Sequence, residues 1–377
     1  MPMTAYSVSE EKEIDVYQLL AILSGQPKDK AVASLDGLPD PWRVHIKSDM
    51  QCPCCFVTGA EVVKEAVSRT TRKAIRQPYF RFVTPGHREH CDFAMTEAAN
   101  AIPENLVAFG DAKTKLTRAV RDLVCTGIDH RVFNQRSIRN MREWFFNKKI
   151  GALFMVMLDT RLPDWIEGLH RAIYAASGGL PADVPLTAEI AAMPNFDWRT
   201  EAARRLIDRY RQHIEILEAL RSQRIYFLGV TKRVESLARR FQGRVVFDPS
   251  VLAEEYDKTR TLARFVSCNY KPLKPAKQND PFAASVLALC ALLLFCRDWD
   301  MNLAISDFTK IAAASGHSDQ TLGNVMGLNP FHDYEAWRSL KQMQALNIVV
   351  PQNTDLKAEK EVLEAEIRTQ FANPFVS

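Results

Sequence analysis

The chain has 377 residues, of which 47% are hydrophobic and 25% charged, with a formal net charge of +4. That balance suits a soluble globular protein of two or three domains with a sizeable core. Eight cysteines do not make a disulfide framework at this length, and Met1-Pro2-Met3-Thr4 leading into Glu10, Glu11 and Glu13 is not a secretory signal. A reducing cytoplasm is the expected compartment.

Ile14 to Leu23 reads as a short helix, ended by Ser24-Gly25-Gln26-Pro27. Trp42-Arg43-Val44-His45-Ile46-Lys47 alternates and predicts a strand entering a cysteine knuckle, Cys52-Pro53-Cys54-Cys55. Tyr79-Phe80-Arg81-Phe82-Val83 predicts a second strand, closed by Pro85-Gly86 before His87-Arg88-Glu89-His90-Cys91. Zinc takes four tetrahedral N/S ligands, usually as two pairs on separate turns. Cys52 and Cys55 have C-x2-C spacing. His87 and Cys91 have H-x3-C spacing, which one helical turn would bring to one face. The expected ligands are therefore Cys52, Cys55, His87 and Cys91, with Cys54 and His90 as alternates. No partner base is evident, so the zinc reads as structural. Tyr79 and Arg81 would share one strand face, either as a platform for unpaired bases or as the core of a small module.

Charge is uneven along the chain. Residues 1–59 hold five basic and eight acidic residues, and residues 60–150 hold 17 basic and ten acidic. The remainder cancels. The positive excess follows the metal clusters, as a phosphate-contact footprint would, though a solvated helix face has the same look. Lys113 to Cys125 reads as an amphipathic helix, with Leu116, Val120 and Leu123 inward and Lys115, Arg118 and Arg121 off the stripe. Ser137 to Phe146 reads as another, with Ile138, Met141, Trp144 and Phe145 inward. Arg136, Arg139 and Arg142 recur every third residue there and form the best candidate surface for nucleic acid, DNA first.

The middle reads as a small α/β region. Ala152 to Leu158 is a strand candidate, Asp164 to Ala176 a helix capped by Asp164, and Arg199 to Arg221 a long helix. Arg224 to Val230, Lys232 to Phe241 and Arg244 to Phe247 form a βαβ pattern, which favours parallel pairing. Gly229-Val230-Thr231-Lys232 could hold a phosphate at the helix start, but it lacks the glycines of a phosphate-binding loop and reads first as a cap.

From Pro249 on the chain reads as nearly all helix. Phe282 to Cys296 is apolar but only about 15 residues long, short of the ~20 needed to span a bilayer, and reads as a core helix. Phe308 to Val325 resembles a helix-turn-helix: Ala312 is small at the crossing, Gly316 suits the turn, and Ser318 can cap the second helix. Gln320 and Asn324 would then read adenine edges. Glu335 to Leu346 followed by Ile348-Val349-Val350-Pro351 extends this toward a winged helix. Thr354 to Phe371 is a charged terminal helix whose apolar side could pack on the body, on a second copy or on a partner.

The order Tyr79-Phe80-Arg81-Phe82, His87, Cys91-Asp92-Phe93, with Cys52-Pro53-Cys54-Cys55, resembles the N-terminal zinc region of CoiA-like competence proteins. Phe82 stands where such sequences often carry another histidine. The resemblance implies a bacterial protein linked to mobile or incoming DNA, with a nuclease-like domain after the zinc region. No such core is evident here. Glu104 and Asp111-Ala112-Lys113 are too close together for a nuclease site, Asp129-His130 with Asn134 lacks a third histidine, and Asp159 and Asp164 read as strand-end caps.

The expected fold is α+β and mostly helical. It comprises an N-terminal helix and zinc-ribbon-like module (1–100), a basic helical segment (101–150), a central α/β region (151–250) and a helical C-terminal region (251–377). The expected function is zinc-stabilised, non-enzymatic nucleic-acid binding. A metal-dependent nuclease with its site in the central region and a zinc-stapled assembly protein are the alternatives.

Overall fold

The computed structural model describes residues 2–26, 37–67, 74–94, 105–108, 115–181, 183–214, 230–274, 283–314, 326–352 and 355–372. The proposed helix-turn-helix turn and second helix (315–325), with Gln320 and Asn324, lie outside them. So do Glu104, Asp111 and the 224–229 part of the expected βαβ pattern.

In chain order the elements begin with β1 (Thr4–Ser7), β2 (Lys12–Asp15), α1 (Val16–Ser24), α2 (Asp40–Asp49), β3 (Met50–Gln51), β4 (Ala60–Val63), β5 (Ala66–Val67), β6 (Ala74–Arg76), β7 (Tyr79–Phe82) and β8 (Leu106–Ala108). Then come α3 (Lys115–Asp129), α4 (Gln135–Gly151), β9 (Leu153–Met155), α5 (Leu162–Ala176), α6 (Ala188–Ala191), α7 (Trp198–Arg209), α8 (Thr231–Phe241) and β10 (Val245–Phe247). The last are α9 (Ala253–Asn269), α10 (Ala284–Phe295), α11 (Met301–Ala313), β11 (Met326–Leu328), α12 (Tyr334–Ala345) and α13 (Leu356–Ala372). The chain is mostly helical with small antiparallel sheets, as expected of an α+β protein.

It forms two compact units, each built from two stretches: Met1–Ala152 with Val251–His332, and Leu153–Ser250 with Asp333–Ser377. In the first unit, β2, β1 and β3 make a three-stranded sheet, β4 pairs with β7, and β8 pairs with β11. The helix α10 is its centre: Val286 and Ala288 to Leu294 are buried, and α3, α9 and α11 surround it. A helix apolar on all sides needs such a wrapping. Among the described residues, no helix is long and apolar enough to cross a membrane.

Two expectations change here. Trp42–Lys47 is not a strand; it lies inside α2, where only Ile46 and Asp49 are buried. Asp40-Pro41 explains the difference. Proline has its φ preset for a first helical turn, where its missing N–H costs nothing, and aspartate suits the positive end of the helix. The parallel pairing expected around Val245–Phe247 is also absent among the described residues. That strand pairs antiparallel with β9, Val245 opposite Met155 and Phe247 opposite Leu153. A three-residue strand carries too little pattern to select its own partner, so tertiary placement decides.

The second unit is built on a core that includes Trp165, Leu169, Leu206, Leu237, Leu340 and Ile367. The terminal helix α13 packs along α7 through Leu363 and Ile367. Asp164 sits in the first turn of α5 rather than capping it; α7 ends at Arg209, the chain is helical again over 211–214, and the rest of the helix expected to Arg221 lies outside the described residues. Asp248 lies buried between Ser250, whose hydroxyl donates to it at 2.6 Å, and the ammonium of Lys341. Burial pushes its carboxyl up, but the bonds from Lys341 and Ser250 outweigh that and hold it below its ordinary value. A lowered carboxyl stabilises the fold above its unfolded pKa, about 4, and loses that contribution as pH falls through the folded value. The advantage of the wild type over Asp248→Asn in thermal melting of this unit is therefore expected to be full near pH 7 and to narrow below about pH 4.

Candidate metal centre

The centre starts where β3 ends. Cys52 N–H donates to Val57 O at 2.9 Å, and Phe56 N–H donates back to Cys52 O at 3.0 Å, so Cys52–Val57 closes into a knuckle. Phe56 takes the left-handed conformation needed to turn out of it. Gly59 then passes against the other arm: a Cβ there would lie 2.1 Å from Thr84 O, and the backbone has φ +87°. Only glycine permits that approach. The paired strands β4 and β7 carry the chain out and back, with Ala60 opposite Phe82. The turn at 84–86 then delivers His87 and Cys91.

Four donor atoms meet as expected. The Sγ atoms of Cys52, Cys55 and Cys91 and a ring nitrogen of His87 all lie within 4.8 Å of one another. Cys52 and Cys91 sulfurs are 3.9 Å apart, and His87 Nδ1 is 3.6 Å from Cys55 and 3.5 Å from Cys91. All three cysteines are fully buried. The His87 ring sits between Phe82 and Phe93, at centroid distances of 5.4 and 6.5 Å. The cluster can hold a metal ion. Without a cation these groups cannot ionise together. Burial, then its neighbours, push the Cys52 thiol up; contact with Cys52 pushes Cys91 up; Cys55 alone is held down, by Cys52, Cys91 and His87.

The His87–Cys91 pair is not helical, contrary to the one-turn expectation. The segment runs through turns, with Cys91 N–H donating to Arg88 O and His90 at φ 62°. Of the alternates, Cys54 lies against Cys91 and donates to Asp92 Oδ2 at 3.8 Å. His90 faces Glu89, with 3.6 Å between Nε2 and the carboxylate. Neither belongs to the four-donor cluster.

The basic stripe has a different role from the one its sequence suggests. Arg142 is 2% exposed, and its Nη2 donates to Glu13 Oε2 at 2.6 Å, so it does not form part of a phosphate-contact surface. Glu13 is itself buried; its backbone N–H donates to Gln135 at 2.7 Å and its carboxylate accepts from Thr4. Arg139 donates twice to Gln51, at 2.9 and 3.2 Å, and its guanidinium lies 4.7 Å from the Phe56 ring centre. Arg136 remains exposed, with a 3.5 Å contact to exposed Glu11. Lys115 and Arg118 stand exposed on α3.

A pattern joins these contacts. Each metal ligand has a sequence neighbour that touches α4. Gln51, before Cys52, and Phe56, after Cys55, both meet Arg139. Arg88, after His87, stacks 5.8 Å from Phe146, and Asp92, after Cys91, accepts from Lys149. Arg139, Arg142, Phe146 and Lys149 are spaced three, four and three apart, which is one helix face. Sequence reasoning missed this docking face. The signal was present: the arginine stripe continues into an aromatic and a lysine, and polar or aromatic residues flank every ligand.

Other candidates resolve into structure. Tyr79, Phe80 and Phe82 are buried, and Arg81 binds Glu61 directly across the ladder at 2.7 Å, so β7 is module core. Asn134 caps α4, and Asp159 is tied to Arg161 at 2.7 Å. No family model matches the chain, and searches of curated proteins and of solved structures find no similar protein.

Proposed function

We propose that the chain is a zinc-stapled nucleic-acid-binding protein, and that the metal is structural. The observation that carries the zinc reading is the donor spacing. Zinc bonds of about 2.3 Å to sulfur and 2.0–2.1 Å to nitrogen, set tetrahedrally, place sulfurs about 3.8 Å apart and sulfur about 3.5 Å from nitrogen. The separations of 3.9, 3.6 and 3.5 Å match that geometry. Three thiolates favour zinc over the oxygen-loving cations, and four protein donors leave no open position for a reacting water. Metal analysis of the purified chain tests this: one zinc per chain is expected.

The nucleic-acid reading rests on the basic excess of residues 60–150 and on the exposed cations Lys115, Arg118 and Arg136. The likeness of the ligand segments to CoiA-like zinc regions points the same way, toward DNA. With Arg139 and Arg142 engaged internally, phosphate contact falls to the three exposed residues. Replacing all three by alanine is expected to weaken duplex-DNA binding at every sequence and to lower the salt slope by about three. Fluorescence anisotropy between about 50 and 200 mM salt reads both quantities. An intact wild type that fails to bind at the low-salt end overturns this half of the proposal. The assembly reading then takes over, since Arg139 and Lys149 of α4 already serve to fasten the metal module.

A further inference from the structure

A small cavity lies beside the metal centre, with a volume of about 10 Å³. Pro53, Cys54 and Asp92 of the metal loops line one side, and Arg142, Phe146 and Lys149 of α4 line the other. Arg142 is 2% exposed, and only its Nη2 is bonded to Glu13; its Nε and Nη1 are buried without a hydrogen-bond partner. A buried donor left unsatisfied is costly, more so when it is charged.

We propose that this cavity is a binding site for one water molecule, which accepts from the Arg142 guanidinium and donates to the Asp92 carboxylate. The volume is about that of a single water-sized sphere, the least a buried water needs. Asp92 already accepts from Lys149 and Cys54, one at each oxygen, and each oxygen keeps a further lone pair. A small anion fits less well. The charge on Arg142 is matched by Glu13 and that on Lys149 by Asp92, so no surplus positive charge offsets the dehydration of an anion. The water adds a tie between the metal loops and α4 at Arg142, whose own ion pair is to Glu13 rather than to a ligand's sequence neighbour.

The test is a high-resolution crystal structure of the full, zinc-loaded chain grown with bromide as the only halide. One oxygen-sized peak is expected about 2.7–3.2 Å from Nε or Nη1 of Arg142, with no bromide anomalous signal there. A bromide peak in the cavity overturns the choice of water, and a cavity without density overturns the site. Neither result bears on whether the chain binds nucleic acid.

Discussion

Cys52→Ser is expected to strip the chain of its metal and to unfold the loops from Cys52 to Val57 and from His87 to Phe93. The loss is large because the four donors are close-packed and the three cysteines among them are fully buried, while the Cys54–Asp92 contact is a weak tie between the two loops. Structural zinc contributes about 10–16 kcal/mol in isolated finger peptides near neutral pH. Here the sheet of β1, β2 and β3 and the packing on α4 already position part of the module, so the measured cost is expected to be several kcal/mol. Zinc content, thermal melting and hydrogen exchange of α4 read the three consequences separately. Slow exchange on α4 that persists after metal loss would contradict the docking arrangement. Cys54→Ser is the control. It is expected to keep one zinc, because Cys54 is outside the group of four mutually close donor atoms. A Cys54→Ser protein as metal-poor as Cys52→Ser would move Cys54 into the ligand set. Acid is expected to act like the mutation, since three thiols must lose their protons for the metal to bind.

Glu13→Ala is expected to cost about 3–5 kcal/mol in the first unit, which is the range for breaking a buried ion pair by removing one partner. The two side chains are 1% and 2% exposed, so Arg142 would keep its charge, buried, with no counter-charge. The double replacement Glu13→Leu with Arg142→Met is expected to recover most of that loss, because apolar substitutes remove both desolvation penalties at once. Urea denaturation of the wild type, Glu13→Leu, Arg142→Met and their double forms a cycle that isolates the pair. If Glu13→Ala proved as stable as the wild type, the pair would not be buried as described.

The four-donor cluster was legible because residue type and spacing work together: among four cysteines and two histidines in two short clusters, the C-x2-C and H-x3-C spacings select Cys52, Cys55, His87 and Cys91. The core helix Ala284–Phe295 was legible for a similar reason, since a wholly apolar run of that length has only one place to go. Arg139 and Arg142 were not. An arginine every third residue describes a helix face, but the face toward water and the face toward a charged partner have the same spacing. Only the position of Glu13 and Gln51, about 90 to 130 residues earlier, tells them apart. Trp42–Lys47 failed for a local reason. Six residues of alternation fit a strand and a half-exposed helix equally, and the deciding signal was Asp40-Pro41 just before them. The partner of Val245–Phe247 lay some 90 residues back, beyond the reach of any local pattern.

The order of the chain also bears on how the protein is made. Everything the metal needs is present once Cys91 has left the ribosome, so the module can load and close early in synthesis. The rest of its unit cannot. The seat for Ala284–Phe295 is shaped by Lys115–Asp129, yet the whole first stretch of the other unit, Leu153–Ser250, is translated between them. At about 5–20 residues per second, that leaves an apolar surface uncovered for roughly ten to thirty seconds in every nascent chain. On the proposed zinc reading, the bound ion would hold the adjoining half in shape while it waits. A cell short of zinc is then expected to accumulate this protein as aggregate during synthesis, rather than as a folded protein lacking its metal.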